Sequence, residues 1–240
     1  MKRAICTSVA GISLLLSACV VSPTTASGTR IDEVPMYGGI DREKYPTLKE
    51  GDQTFIERVT EHFGSREKAA DVWINSGFRY YNNNQLDLAM RRFNQAWLLN
   101  PKNSEVFMGF SAVLHDQKKY CQAMDMAEHA LTLKPPSYQG IFPDAGLIIV
   151  LCVVNQQDEA ITPEKKAQLL ERSESLFQKA EEVELNKAYV FNNWAKAYYL
   201  RADYPKAWEA VAKARKLGSK ISEKFLADLR NKMPEPSSSE

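Results

Sequence analysis

The chain has 240 residues, of which 44% are hydrophobic and 25% charged, and its formal net charge is +1. This length fits one domain or two, and the balance of apolar and charged residues is that of a globular protein. Acidic and basic residues are interspersed and form no basic patch of the kind that binds nucleic acid, so we predict no nucleic-acid partner.

The first 18 residues have the features of an export signal. Lys2 and Arg3 supply positive charge, and the apolar run from Ala4 to Leu16 is short for a membrane span. The run continues into Leu-Ser-Ala-Cys at 16–19, which resembles the lipobox of bacterial lipoproteins. The resemblance implies that Cys19 is acylated, becomes the mature N-terminus and anchors the protein to a membrane. An ordinary secretory signal with an incidental cysteine is the alternative.

The residues after Cys19 bear on localisation and flexibility. The residue directly after Cys19 is Val20 and not an aspartate. In Gram-negative lipoproteins this pattern implies sorting to the outer membrane, so the resemblance implies an outer-membrane lipoprotein that faces the periplasm in such a host. Residues 19–46 are rich in small polar residues, Gly and Pro, and therefore predict a flexible, lipidated tether.

Helical segments are predicted at both ends of the body. Residues 47–69 form an N-terminal helical segment, in which the stretch from Asp52 to Phe63 has one apolar stripe and Gly64 suits the end of the helix. Residues 221–232 predict a capping helix, and residues 233–240, rich in Pro, Ser and Glu, predict a disordered tail.

Residues 70–232 contain an internal repeat. Three units of 34 residues each resemble the tetratricopeptide repeat, because the residue types at positions 4, 8, 11, 20, 24, 27 and 32 follow the pattern of that family. From Ala70 these positions hold Trp73, Gly77, Tyr80, Ala89, Phe93, Ala96 and Pro101; from Ser104 they hold Phe107, Ser111, Leu114, Ala123, Ala127, Ala130 and Pro135; from Ala188 they hold Phe191, Ala195, Tyr198, Ala207, Val211, Ala214 and Ser219.

A fourth unit, third along the chain, is split. Counted from Tyr138, Ile141 lies at position 4 of its first helix, whereas Phe177 and Ala180 mark its second helix. The register between the two helices indicates an insertion of about 16 residues, with a loop from Asn155 to Pro163. The units therefore lie near 70–103, 104–137, 138–187 and 188–221.

The resemblance implies an all-α fold, a tetratricopeptide-type solenoid of antiparallel helix pairs with an N-terminal helix and a C-terminal capping helix. Small residues at positions 8, 20 and 27 let paired helices approach closely, and large residues at positions 4, 11 and 24 fill the space between pairs. Stacked pairs then share one core that no single pair can bury. Unrelated amphipathic helix hairpins are the alternative.

The sequence contains no catalytic pattern. His62, His115 and His129 have neither the mutual spacing nor the cysteine neighbours of a zinc site, and there is no nucleophile elbow or phosphate-binding glycine loop. We therefore predict no enzyme activity, no metal and no cofactor.

Cys121 and Cys152 are the two cysteines of the body. Cys121 lies near the start of the second helix of unit two, and Cys152 near the end of the next helix. Successive antiparallel helices bring such ends together, and an exported compartment permits a disulfide. A Cys121–Cys152 bridge and two separately buried thiols are both open at this point.

Positions 2, 5, 9 and 12 of the first helices line the concave face in the tetratricopeptide family. The resemblance implies that the partner-binding face here includes Ile74, Phe78, Tyr81, Met108, His115, Phe142, Asn192, Lys196 and Tyr199. Such an apolar, aromatic groove suits a peptide or a helix of a protein partner, and the Lys and Asn pattern of the family's carboxylate clamp is absent. Filling of the groove by the N-terminal helix or the insertion is the alternative.

These features predict a lipid-anchored, periplasm-facing scaffold or adaptor that binds a protein partner in the cell envelope by its concave face. The alternative is a structural component of an envelope assembly, either self-associating or similar to the pilotins of pilus and secretion machinery. The oligomeric state is open.

Overall fold

The structure, a computed structural model, describes residues 32–39, 41–135, 140–155 and 161–236. The expectations for the export signal, for Cys19 and for most of the tether lie outside the described residues. So do Tyr138, the inserted loop at 156–160 and the end of the tail at 237–240.

The described residues are all-helical, which confirms the all-α prediction. A short 3-10 turn at Arg42–Lys44 precedes ten α-helices: α1 Pro46–Phe63, α2 Arg66–Asn82, α3 Leu86–Leu99, α4 Ser104–Asp116, α5 Tyr120–Thr132, α6 Ile141–Asn155, α7 Pro163–Val183, α8 Lys187–Leu200, α9 Tyr204–Lys216 and α10 Glu223–Lys232. Within these ranges, none of the helices combines the length and the apolar character that a membrane crossing requires.

Neighbouring helices pack in pairs. We call α2, α4, α6 and α8 the first helices and α3, α5, α7 and α9 the second helices, because each first helix packs against the second helix that follows it. Each second helix from α3 to α7 also contacts the next first helix. Since three residues join α2 to α3, α4 to α5 and α8 to α9, the two helices of each of these pairs run in opposite directions.

The three short turns share one geometry. Asn84, Lys118 and Ala202 lie at the middle of the turns with φ values of 56°, 62° and 60°. The next residue in each turn donates a backbone hydrogen bond across six residues, as from Gln85 N to Tyr80 O at 2.9 Å. Left-handed residues with this hydrogen bond end helices in a fixed direction, so the chain reverses in the same way three times.

Two aromatic rings fix how closely the helices approach. The ring of Phe93 in α3 is fully buried, and a Cβ on Gly77 of α2 would lie 2.5 Å from it. A Cβ on Gly109 of α4 would be closer still. In the C-terminal half, a Cβ on Gly146 of α6 would lie 2.9 Å from the ring of Phe177 in α7. These rings therefore contact bare helix backbone, which brings the helix axes close together.

The N-terminal part differs from its prediction in two ways. Helix α1 begins at Pro46, where the fixed φ of proline suits a first helical residue, so it is longer than the apolar stripe from Asp52 to Phe63. Residues 32–39, which the sequence assigned to the tether, instead pack on α3 and α5. The sequence of this segment has no sustained periodicity that predicts where it packs. The side chains that bind it, on α3 and α5, lie far along the chain.

Asn94 of α3 holds this segment. Its side chain is 2% exposed, and its Nδ2 donates to the carbonyl oxygens of Asp32 and Val34 at 3.1 and 2.8 Å. Its Oδ1 accepts from the backbone N–H of Met36 at 2.8 Å. One buried amide thus binds three backbone groups of an extended segment, leaving no polar atom of the side chain without a partner. The hydroxyl of Tyr37 adds a hydrogen bond to His129 Nδ1 of α5 at 3.1 Å.

The structure joins Cys121 and Cys152 in a disulfide that links the start of α5 to α6, with Cα atoms 4.7 Å apart. The two residues are 31 positions apart, and in the loop-entropy account a ring of this size adds about 3–4 kcal/mol to stability. At the C-terminal end, α10 buries Leu226 and Leu229, and Trp208 Nε1 donates to the carbonyl oxygen of Met233 at 3.1 Å.

We expect Gly109→Ala to destabilise the fold. The added methyl group meets the rigid ring of Phe93, and overpacking of this kind costs more than alanine gains in helix propensity, so the free energy of unfolding should fall by about 1–2 kcal/mol. Urea denaturation measures the change. Gly51→Ala in α1 is the matched control, because its Cβ meets nothing within 4 Å, and it should raise stability by about 0.5–1 kcal/mol. Equal effects of both substitutions would contradict the role assigned to Phe93.

Candidate functional site

Side chains from all four first helices surround one cavity of about 230 Å³, which we call the Asp144 cavity. It is lined by Tyr81 of α2, by Met108, Ser111, Ala112 and His115 of α4, by Asp144, Leu147 and Ile148 of α6, and by Tyr189, Asn193 and Lys196 of α8. Neither α1 nor the segment 32–39 contributes to this lining. The described part of the N-terminus therefore packs elsewhere and leaves the cavity unfilled.

The cavity brings together four of the residues that the sequence placed on the binding face. Tyr81, Met108, His115 and Lys196 all line it, although they come from three helices that are far apart in the chain. Asn192 is partly exposed and is not among the lining residues.

Ile74 does not lie on an accessible face, which corrects the sequence interpretation. It is 1% exposed, because it shares the buried stripe of α2 with Ala70 and Gly77 and packs in one cluster with Phe93. Position 5 of this first helix therefore belongs to the core.

Three predicted aromatic residues also lie outside the cavity. Phe78 packs edge-on against Phe93, with ring centroids 5.0 Å apart. Phe142 is partly buried against the clusters that join α6 to its neighbours. Tyr199 packs on Tyr204 and on Phe225 of α10, at centroid distances of 6.0 and 5.5 Å. These rings hold helices together, so they form less of a binding face than the sequence suggested.

Asp144 is the central residue that the sequence interpretation missed. Its Oδ1 accepts hydrogen bonds from the hydroxyl of Tyr189 at 2.5 Å and from Asn193 Nδ2 at 3.0 Å. Burial raises the pKa of Asp144 to about 6, although these hydrogen bonds and the charges of His115 and Lys196 act in the opposite direction. One signal was available in the sequence, since Asp144 is the only charged residue of the apolar helix α6.

The neighbours of Asp144 are also shifted in pKa by burial. The pKa of Tyr81 rises to about 12, through burial first and then through a hydrogen bond to Asp116 and the charges of Asp116 and Asp144. Burial, followed by the charge of Asp144, raises the pKa of Tyr189 as well. Burial lowers the pKa of Lys196, with the charge of Asp144 opposing it. The two phenols are therefore neutral at physiological pH and can donate hydrogen bonds.

The two basic side chains that line the cavity, Lys196 and His115, form their hydrogen bonds with groups other than the carboxylate of Asp144. Lys196 Nζ donates to Asn193 Oδ1 at 3.3 Å, and His115 Nδ1 lies 2.8 Å from Asp116 Oδ1. In the described part of the chain neither base forms an ion pair with Asp144, and no three His, Cys, Asp or Glu side chains gather as a metal site requires.

Two larger cavities, of about 520 and 440 Å³, lie between the N-terminal part and α3. Two arginines that line them are paired with carboxylates of the N-terminal part. Arg42 forms a two-bond contact with Asp52, and Arg91 pairs with Glu33 at 2.7 Å and with Asp32 at 3.2 Å. These cavities are therefore the spaces left beneath a docked segment, and the Asp144 cavity is the better candidate for a binding site.

The described residues thus define an all-helical protein whose first helices converge on a small cavity that contains several polar groups. The chain matches no protein-family model and no curated protein. Its function is therefore to be inferred from the chemistry of the Asp144 cavity.

We expect Asp144→Asn to change how stability depends on pH. A carboxyl group with a pKa raised from 3.8 to about 6 binds protons more tightly in the folded state, so it lowers the free energy of unfolding as pH rises through this window. The amide that replaces the carboxyl group does not titrate. As the pH rises from 4 to 7, the free energy of unfolding of the variant should therefore increase relative to that of wild type by up to about 3 kcal/mol. Urea denaturation measures this difference.

The matched control is Asp87→Asn, because Asp87 is exposed on α3 and lies outside the cavity. Its stability should differ from wild type by no more than about 1 kcal/mol, the usual effect of a charge in the first turn of a helix. Parallel pH profiles for wild type and Asp144→Asn would show that burial does not shift the pKa of Asp144.

Proposed function

We propose that this chain is a lipid-anchored scaffold or adaptor of the bacterial cell envelope, built from tetratricopeptide-type helix pairs. It binds a protein partner through the face formed by its first helices, and it acts by holding that partner rather than by catalysis.

The repeated turns support the tetratricopeptide part of the proposal. Asn84, Lys118 and Ala202, which share a left-handed conformation, all occupy position 15 of the units that begin at Ala70, Ser104 and Ala188. Phe93 and Phe177 both occupy position 24, and both pack against glycine on a first helix. Equivalent positions thus have equivalent structure in separate units, as stacked repeats require.

The convergence of four first helices on one cavity is the observation that carries the binding part of the proposal. Tyr81 and His115 lie at position 12 of units one and two, and Tyr189 and Lys196 lie at positions 2 and 9 of the last unit. A concave site with apolar walls and a few convergent polar groups is the usual form of a binding site. For the lipid anchor, the support is the sequence motif that ends at Cys19.

We expect a photo-crosslinking residue to capture the partner from the cavity. Benzoylphenylalanine replaces Tyr81 in the full chain, in the cells that produce it, and ultraviolet light should give an adduct of defined mass. Val72 on the same helix is the matched control position, because it is 42% exposed and does not line the cavity.

The outcomes separate the alternatives. An adduct from position 81 but not from position 72, containing one reproducible protein, supports the adaptor. An adduct of twice the mass of the chain supports the self-associating alternative instead. Identical adducts from both positions, or none from either, would count against binding through the first helices.

We expect Cys19→Ala to release the protein from membranes. Without the thiol no acyl chain attaches, so the protein should move from the membrane fraction to the soluble fraction, which immunoblotting of fractionated cells detects. Cys6→Ala is the matched control, because Cys6 lies in the export signal before the lipobox, and this variant should stay with the membranes. Soluble wild-type protein would favour the ordinary secretory signal.

A further inference from the structure

We propose that the Asp144 cavity is a subsite for one basic side chain, Lys or Arg, of the bound partner, with the carboxylate of Asp144 as its acceptor. This inference rests on the proposed binding of a protein partner by the first helices. The cavity has about 230 Å³, less than the usual 300–1,000 Å³ of a site for a drug-sized molecule, so it suits a single side chain.

The carboxylate is held in place with one oxygen available. Both of its hydrogen bonds fall on Oδ1, from Tyr189 at 2.5 Å and from Asn193 at 3.0 Å. Among the described residues Oδ2 accepts no hydrogen bond. Because α6 and α8 fix the carboxylate before any ligand arrives, binding to Oδ2 requires little further ordering of the site.

Within the described ranges, no basic side chain contacts the carboxylate of Asp144. Lys196 donates to Asn193, and His115 bonds to Asp116, so both bases act on Asp144 only at longer range. A partly buried carboxylate without a contacting base is less favourable than one in water, and the surroundings of Asp144 impose this desolvation before a partner binds. An ammonium or guanidinium group of the partner, placed at Oδ2, would supply the missing charge.

Carboxylate charge acts on the two tyrosines that line the cavity. Burial is the largest cause of the raised pKa of Tyr81 and of Tyr189. After burial, Asp116 raises the pKa of Tyr81 through a hydrogen bond and its charge, and the charge of Asp144 raises the pKa of both tyrosines. Both phenols therefore lie close to carboxylate charge, which favours a cation beside them. An acidic ligand group in this cavity would lie near Asp144 as well as Lys196, and the two carboxylates would repel each other.

Selection from a random peptide library on phage tests this inference on the purified full chain. We expect the enriched peptides to share one Lys or Arg. Replacing that residue by norleucine in a synthetic peptide should weaken binding to the wild-type chain about tenfold or more. The same peptide should bind Asp144→Asn about tenfold more weakly than wild type, and Asp87→Asn with unchanged affinity, by fluorescence anisotropy.

The double-mutant cycle is the decisive measurement. The norleucine peptide should bind wild type and Asp144→Asn with equal affinity, because the two substitutions remove the same contact. If Asp144→Asn does not fold, as judged by circular dichroism, equal affinity of wild type for the basic peptide and its norleucine form still overturns the inference.

Three other results would overturn the inference. Enriched peptides that share an acidic residue and lose affinity on Lys196→Met would reverse the polarity of the subsite. Enriched peptides that bind wild type and Asp144→Asn equally would leave the adaptor proposal intact but remove the role of Asp144. A library that yields no binding peptide would count against both proposals.

Discussion

The contact of the Phe93 ring with bare helix backbone is the constraint on which the rest of the structure depends. A ring with zero exposure can touch α2 and α4 at once only because residues 77 and 109 carry no side chain. Phe177 and Gly146 repeat this arrangement between α6 and α7. These contacts set the spacing of the first helices, and that spacing determines the width of the Asp144 cavity between them.

Much of the helical body could be predicted from the sequence, because its signals are local and periodic. Gly77, Phe93 and the short turns lie at fixed intervals, and paired helices follow from that pattern. The docking of residues 32–39 could not be predicted, because the side chains that bind it, Arg91, Asn94 and His129, lie about 60 to 90 residues away and look ordinary for amphipathic helices. Periodicity shows that such a residue is helical, but not what it binds.

The candidate site was predicted only in part for a related reason. Position within a repeat identified Tyr81, Met108, His115 and Lys196, but it also selected Ile74, which the close approach of α2 and α3 buries. Asp144 was passed over because it lies between the positions that face a partner in the family pattern. Its importance arises from α8, whose Tyr189 and Asn193 bond to it across about 45 residues of chain. Hydrogen bonds between distant helices produce no periodic pattern in the sequence, so periodicity cannot predict them.

The hydrogen bonds of Asn94 to the segment 32–36 determine where a mechanical load enters the protein. Because the segment from Asp32 to Met36 is bonded to α3 before the chain continues into α1, tension applied ahead of residue 32 enters the protein at Asn94. The three hydrogen bonds and the ion pairs of Arg91 share that load, and α1 is shielded from it. Helix α3 is in turn locked to its neighbours by Phe93. A pull on the N-terminal end would therefore be transmitted to α3 and, through the ring of Phe93, to α2 and α4.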